Sequence, residues 1–306
     1  MTALLVAYRA LGLGDLLTAV PALRALARAY PGHRRVLAAP RALAELARLT
    51  GAVDEVVDTA PLAPLPQRLR SPDVAVNLHG RGPQSHELLL ATRPGRLIAF
   101  AHADAWPRGP RWRPGEHEVG RWCRLLTESG ITADPSDLAI PAPAVPAPEA
   151  ARRATLIHPG AASGARRWPA ERWAAVARAE HRAGRRVAIT GSAGERDLAR
   201  AVAAGAGLPD EAVLAGRTSL PQLAAAVAVA ERVACGDTGV AHLATALGTP
   251  SVVLFGPTAP SEWGPPPGGP HTVLWAGRRG DPHARAPDPG LLAIRSDEVS
   301  TALASG

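Results

Sequence analysis

The chain has 306 residues, enough for two domains of ordinary size, and 46% of them are hydrophobic, so each domain can bury a core. Its formal net charge of +7 favours acidic ligands, phosphorylated small molecules among them. The basic residues are scattered along the chain, and it shows neither zinc-ligand spacing nor a basic tail. We therefore do not expect nucleic acid as a partner.

The cysteine content and the N-terminal segment indicate the compartment. Two cysteines are too few for a disulfide framework, which favours reduced thiols in the cytosol. The apolar run at residues 3–7 has the length of a strand and is too short for a signal-peptide core or a membrane span. We expect a cytoplasmic monomer, and peripheral contact with a membrane stays compatible with these features.

The first half of the chain alternates short apolar runs with helical patterns. A strand at 3–7 is followed by a glycine-containing turn at 12–15 and a helix at 16–30. Further strands are predicted at 35–39, 53–57, 73–78 and 98–100, and further helices at 40–49 and 116–129. Strands that alternate with helices predict a parallel sheet covered on both faces.

The segment at residues 141–148 reads PAPAVPAP, which indicates a semi-rigid linker. The alternation then resumes, with strands predicted at 154–157, 186–190, 213–214, 232–234 and 251–255, and helices at 169–183, 195–204, 219–230 and 239–247. We therefore predict an α/β protein with two Rossmann-like domains, residues 1–145 and 151–306, that face each other across a cleft. Ligands of such sheets bind outside the carboxyl ends of the strands.

Three strand-to-helix turns of the second half are rich in small residues. They read HPGAASGARRW at 158–168, GSAG at 191–194 and GDTG at 236–239. Such turns let backbone N–H groups and a helix N-terminus approach a phosphate, and the first also carries two arginines. Each turn taken alone also fits a helix cap or a solvated loop. Because all three turns are expected at the same edge of the sheet, together they favour a phosphorylated ligand.

Several segments resemble glycosyltransferase family 9, the ADP-heptose:lipopolysaccharide heptosyltransferases. The most specific is GDTGVAHLATALGTPSVVLFGPTAPSEWGP at 236–265. LGLGDLLTAVPALRALARAYP at 11–31 and HPGAASGARRWPAERW at 158–173 are similar to the family's N-terminal and donor-loop motifs. The resemblance covers nearly the whole chain and implies the GT-B architecture, with the acceptor mostly on the first domain and a nucleotide-sugar donor on the second.

The resemblance also implies roles for individual residues. The catalytic carboxylate falls on Asp15, and the family's pyrophosphate-contacting lysine falls on Arg166. The donor-binding set is Ser163, Arg166, Arg167, Gly191, Asp237, Thr238, Gly239 and His242. On the acceptor side we name Gly14, together with His79 and Arg81, which follow a predicted strand. Trp263 is a further candidate for contact with the sugar or base.

Asp15 has two interpretations. A carboxylate at a strand-to-helix turn is often a helix cap. The resemblance favours a general base, which takes the proton of the acceptor hydroxyl as its oxygen attacks the anomeric carbon. Arginines and helix N-terminal amides would then meet the charge of the leaving nucleotide. No Asp-x-Asp motif is present, so we expect neither a metal nor another cofactor.

The sequence thus favours an inverting, metal-independent glycosyltransferase. Its donor would be a nucleotide diphosphate sugar, ADP-heptose by resemblance, and its acceptor a hydroxyl of a small molecule, glycan or glycolipid. Two alternatives stay open. A sugar-nucleotide epimerase of the same fold would need a donor but no acceptor, and a non-catalytic nucleotide-sugar binding protein would need no base.

Overall fold

A computed structural model describes residues 3–305 of the chain. The chain divides between Ile140 and Pro141 into two compact units, at the first proline of the 141–148 segment. Each unit is built on a five-stranded parallel sheet with helices packed against it. The predicted α/β class is confirmed, with one Rossmann-like sheet in each half.

In the first unit the strands follow the order β3-β2-β1-β4-β5. The strands are β1 Leu4–Tyr8, β2 Arg34–Ala39, β3 Glu55–Asp58, β4 Val74–Asn77 and β5 Arg96–Ile98, and the helices are α1 Leu13–Thr18, α2 Val20–Ala29, α3 Ala44–Leu49, α4 Gln84–Leu90 and α5 Glu118–Glu128. After β3 the chain crosses over to the other side of β1, where β4 pairs with it. The strand order therefore reverses between β1 and β4, and ligands of such sheets bind at this point.

The prediction of a single helix at 16–30 is wrong, because the structure contains two helices there. The first, α1, begins earlier, at Leu13, and ends at Thr18. Pro21 lies in the first turn of α2 and has no N–H to donate to the carbonyl of Leu17. The N–H of Ala19 donates to the carbonyl of Leu16 at 3.1 Å, and Ala19 separates the two helices. The early start of α1 places Asp15 inside a helix.

The second unit has the strand order β10-β9-β8-β6-β7. Its strands are β6 Ala154–His158, β7 Arg186–Ile189, β8 Arg232–Gly236, β9 Ser251–Phe255 and β10 His271–Trp275, and its helices are α6 Ala170–Arg182, α7 Arg196–Ala206, α8 Leu220–Val229, α9 Gly239–Leu247, α10 Pro260–Trp263, α11 Pro289–Ala293 and α12 Ser296–Ser305. The strand order reverses between β6 and β8.

The prediction of a strand at 213–214 is wrong, since only an isolated bridge between Val213 and Ile189 forms there.

Two buried tryptophans anchor the start of α6 in the core of the second unit. Trp168 and Trp173 pack edge to face, with ring centroids 4.8 Å apart. The indole N–H of Trp168 donates to the carbonyl of Ile294 at 3.2 Å, and Arg172 donates to the same carbonyl at 2.8 Å. The segment before α12 therefore fixes the point where the chain enters α6.

Within residues 3–305, no helix combines the length and the apolar character needed to cross a bilayer.

Candidate active site

The switch point of the second unit brings two of the predicted turns together. Strands β6 and β8 are direct neighbours, with His158 opposite Cys235. The loop at 159–169 and the turn at 237–238 therefore leave the same sheet edge side by side. Thr238 is the N-cap of the nine-residue helix α9, whose first N–H groups have no partner within the helix. This edge has the geometry that suits an anionic ligand.

Arg166 lies at this switch point. Its Nη1 atom is 3.4 Å from the carbonyl oxygen of Asp237 and 3.9 Å from the Oδ2 atom of the same residue. Its Nε atom is 3.4 Å from Oγ of Ser163, and only 24% of the side chain is exposed. Arg166 is therefore a largely buried arginine rather than a solvated one. These contacts are long for charge-assisted bonds, so the guanidinium can exchange them for a phosphate.

Asp237 is buried beside Arg166. Burial raises the pKa of this carboxyl group, while the Arg166 charge and a hydrogen bond with Thr258 oppose the rise. The positive charge of Arg166 thus helps to keep a buried carboxylate ionised.

A distant segment holds the loop at 159–169 in its conformation. Ser163 donates through Oγ to the carbonyl of Pro282 at 2.6 Å. Ala165 donates through its backbone N–H to Ala284 at 2.9 Å and accepts from the N–H of Asp288 at 3.1 Å. A Cβ atom on Gly164 would overlap the backbone of the same segment. The conformation of the loop that carries Arg166 therefore depends on residues 282–288.

Arg167 points away from Arg166. Its Nε atom donates to the carbonyl of Ala161 at 2.9 Å, and its charge acts on Glu195. The two adjacent arginines therefore serve different parts of the loop, with Arg166 on the β8 side and Arg167 on the β7 side.

Glu195 is a residue that the sequence analysis missed. Its carboxylate accepts from the backbone N–H and the hydroxyl of Ser192, both at 2.8 Å. A Cβ atom on Gly160 would come within 2.0 Å of it, so the loop backbone lies against the carboxylate. Gly191 also packs closely on Glu195. Burial raises the pKa of Glu195, but the Ser192 hydrogen bonds and nearby positive charges outweigh that effect and lower it overall. An ionised carboxylate here can accept hydrogen bonds from ligand hydroxyls.

The remaining predicted donor residues lie at the N-terminal end of α9. Gly239 is its first residue, and the Thr238 hydroxyl is buried near the Cys235 thiol, with no hydrogen-bond partner of good geometry in residues 3–305. The His242 ring packs edge to face on Trp263, with centroids 5.8 Å apart. This pair links α9 to α10.

In the first unit, Asp15 lies beside the switch point between β1 and β4. It is the third residue of α1, and its Oδ2 atom accepts from the backbone N–H of Gly12 at 3.1 Å. Gly12 is the N-cap, so Asp15 stabilises the helix start without being the cap itself. Its Oδ1 atom is 3.2 Å from Nη2 of Arg9, and 26% of its side chain stays exposed. Burial raises the pKa of Asp15, Arg9 lowers it, and Glu118 raises it.

Arg9 and Glu118 also escaped the sequence analysis as site residues. Arg9 is only 2% exposed, and its Nη2 atom is 2.9 Å from Oε1 of Glu118. Its guanidinium also contacts the carbonyl of Leu78 and lies over the Trp122 ring, 4.9 Å from the ring centroid. Asp15 is therefore in contact with a buried ion pair between Arg9 and Glu118.

The three acceptor-side candidates have different surroundings. Gly14 lies within α1, and Arg81 is exposed in the loop after β4. His79 stacks on Tyr8 with ring centroids 4.6 Å apart, and its Nδ1 atom is buried without a hydrogen-bond partner in the described part of the chain. Of these three, His79 alone has a buried polar atom near the switch point.

The His79 imidazole should titrate far below the usual range. Burial and the Arg9 charge lower the pKa of His79 to about 4. Because protonation is disfavoured, the ring should be neutral at neutral pH and take up a proton only as the pH falls through that value. NMR titration of the His79 ring protons checks this. A His79 midpoint in the ordinary range for a histidine side chain would contradict the prediction.

Residues 111–289, more than half of the chain, match glycosyltransferase family 9 (heptosyltransferase). The chain belongs to this family and is a glycosyltransferase. No curated protein sequence matches it at a significant level.

Solved structures share the fold at low sequence identity. A glycosyl transferase family 9 protein from Veillonella parvula has 21% identity, covers 99% of this chain and 97% of its own, and gives a TM-score of 0.78. The E. coli ADP-heptose lps heptosyltransferase II has 22% identity, coverage of 99% and 98%, and a TM-score of 0.77. E. coli heptosyltransferase WaaC with ADP has 19% identity, coverage of 98% and 99%, and a TM-score of 0.72. These matches confirm the GT-B fold class.

Proposed function

We propose that this glycosyltransferase moves a heptose-like sugar from ADP-heptose to a hydroxyl group, with inversion at the anomeric carbon and without a metal ion. The observation that carries the proposal is the largely buried Arg166 guanidinium beside the N-terminus of α9. A nucleotide diphosphate needs positive charge and backbone donors together. ADP is the ligand named for WaaC, and ADP-heptose is named for heptosyltransferase II.

In the proposed reaction, Asp15 accepts the proton of the acceptor hydroxyl as its oxygen forms a bond to the anomeric carbon. The bond from that carbon to the ADP oxygen breaks, and ADP leaves with the electron pair. Attack opposite the leaving group inverts the anomeric configuration. Arg166 and the α9 amides stabilise the charge that develops on the pyrophosphate.

The environment of Asp15 supports its proposed role as the base. Burial raises the pKa of the carboxyl group, and a more basic carboxylate accepts a proton more readily. The side chain also stays partly exposed, so an acceptor hydroxyl can reach it. The acceptor itself is proposed only as a class, namely a hydroxyl of a glycan, glycolipid or small molecule.

Transfer should proceed at the same rate in EDTA, because Arg166 and helix amides replace a metal in neutralising the leaving group. The product should carry the anomeric configuration opposite to that of the donor. ADP release from ADP-heptose, measured with lipopolysaccharide core saccharides or water as acceptor, gives the rate, and proton NMR of the product gives the configuration. Activity that EDTA abolishes and magnesium restores would reject the metal-free proposal. Retained configuration would reject inversion.

A donor-only incubation is the control for the epimerase alternative. Without an acceptor saccharide, this protein should only hydrolyse ADP-heptose slowly. Conversion to a second ADP-sugar would instead show epimerase activity.

A further inference from the structure

We propose that Glu118 is a positioning residue for the transfer reaction, acting on Asp15 through the buried Arg9 guanidinium that the two carboxylates share. This inference rests on the proposed role of Asp15 as the base. Three elements meet in the arrangement. Arg9 directly follows β1, Asp15 lies in α1, and Glu118 is the first residue of α5.

A single nitrogen of Arg9 joins the two carboxylates. Its Nη2 atom is 3.2 Å from Oδ1 of Asp15 and 2.9 Å from Oε1 of Glu118, and it also lies 3.3 Å from the Thr18 hydroxyl. The guanidinium is further bonded to the carbonyls of Asp15 and Leu78. A buried arginine is costly unless its charge is paired, so both carboxylates help to hold it.

Glu118 is itself fixed from the side away from Asp15. Its Oε1 atom accepts from the indole N–H of Trp122 at 2.8 Å, and its Oε2 atom pairs with Arg121. Arg121 in turn lies over the Trp112 ring, 4.3 Å from the centroid. Glu118 is thus buried and held by two partners, so it can serve as an anchor.

The two carboxylates differ in exposure, and this difference assigns their roles. The side chain of Asp15 is 26% exposed, whereas that of Glu118 is 6% exposed. Asp15 can therefore meet an acceptor, while Glu118 acts only through Arg9. The network runs from Arg121 through Glu118 and Arg9 to Asp15 and ends at the one partly exposed member.

The charges that act on Asp15 set the expected direction of the pH effect. Burial raises the pKa of Asp15, Arg9 lowers it, and Glu118 raises it. His79 also lies near Arg9, but its low pKa leaves it neutral in the working range. Neutralising Glu118 removes a negative charge near Asp15. Asp15 is then the only carboxylate of the pair that still forms an ion pair with Arg9. The pKa of Asp15 should then fall, which makes its carboxylate a weaker base.

Glu118→Gln is the direct test, because the amide keeps the shape and an acceptor oxygen while losing the charge. We expect kcat for ADP release to fall about tenfold, which is within the usual size of the coupling between residues of one hydrogen-bond network. The acid limb of the plot of kcat against pH should move to lower pH. The KM for ADP-heptose should stay unchanged, because Arg166 and α9 bind the donor. In ligand-free protein, the ¹³C carboxyl resonance of Asp15, identified by its loss in Asp15→Asn, should titrate at lower pH.

Two further variants keep the test decisive. Glu116→Gln removes a nearby carboxylate of the same unit that pairs with Arg124 at 2.6 Å. Glu116 bonds to Arg121 of the network through its backbone carbonyl, which the substitution keeps. This variant should leave kcat, its pH profile and the Asp15 resonance unchanged. If Glu118→Gln does not fold, Glu118→Asp keeps the charge in the core but is one methylene shorter. It should lower kcat while moving the Asp15 midpoint less than Glu118→Gln does.

The outcomes separate this inference from the proposed function. If Glu118→Gln matches wild type in kcat and in the Asp15 midpoint while Asp15→Asn is inactive, the positioning role is wrong and the base assignment stands. A shifted Asp15 midpoint with unchanged kcat also overturns the role. Full turnover in Asp15→Asn would instead reject the base itself.

Discussion

Replacing Asp15 with asparagine should lower the rate of sugar transfer by about 100- to 10,000-fold, the usual effect of losing a general base. Asparagine keeps the shape of the side chain and can still accept the hydrogen bond from Gly12 that supports the start of α1. It cannot take the proton of the acceptor hydroxyl. The measurement is the initial rate of ADP release from ADP-heptose.

Binding and stability measurements on the same variant exclude indirect effects. ADP affinity should barely change, because the proposed donor residues belong to the second unit. The melting temperature should also stay close to wild type, because Glu118 still pairs with Arg9 at 2.9 Å and the asparagine oxygen can still accept a hydrogen bond from Arg9. Near-full turnover in Asp15→Asn would show that Asp15 is not the base. A loss of activity that only follows unfolding would show that it is a structural residue.

Replacing Arg166 with alanine should weaken ADP binding by about 10- to 150-fold, the equivalent of one charge-assisted contact to a pyrophosphate. The largely buried guanidinium makes long contacts to Asp237 and Ser163, so it can turn to the ligand at little cost. Isothermal titration calorimetry with ADP measures the effect. Adenosine, which has no phosphate, should bind wild type and variant equally poorly.

Arg167 provides the matched control for Arg166. Its Nε atom bonds to the carbonyl of Ala161 on the other side of the loop, so Arg167→Ala should lose less ADP affinity. Arg166→Lys should recover part of the loss, because lysine keeps the charge without the bidentate geometry. If Arg167→Ala lost ADP affinity while Arg166→Ala did not, the pyrophosphate-contacting residue would be Arg167 rather than Arg166. If neither lost affinity, this loop would not bind pyrophosphate.

Most of the fold could be predicted because buried parallel strands are short apolar runs between glycine-rich turns. The elements that were missed lack this pattern. Strand β10 is an edge strand with a half-exposed sequence, HTVLW, after a proline- and glycine-rich stretch. The break between α1 and α2 depends on Pro21, which a helical pattern of apolar residues conceals.

The candidate site could be predicted only where its residues are close in sequence. The loop at 158–168 and the turn at 236–239 each form a local pattern after a strand. Glu195 had a local signal as well, since Ser192 and Glu195 have the spacing of a capping box. Arg9 and Glu118 had none, because their contact joins residues 109 positions apart, and neither looks different from a surface charge in the sequence.

The hydrogen bonds between the loop at 159–169 and residues 282–288 have a consequence for biosynthesis. The loop is translated long before that segment, with 119 positions between Ser163 and its partner Pro282. On the ribosome, the first unit can fold as soon as its own strands have emerged. The second unit cannot give Arg166 its final surroundings until Asp288 has been added. A nascent chain therefore completes the surroundings of this loop only after residue 288 has been added, and products that stop earlier should lack these hydrogen bonds.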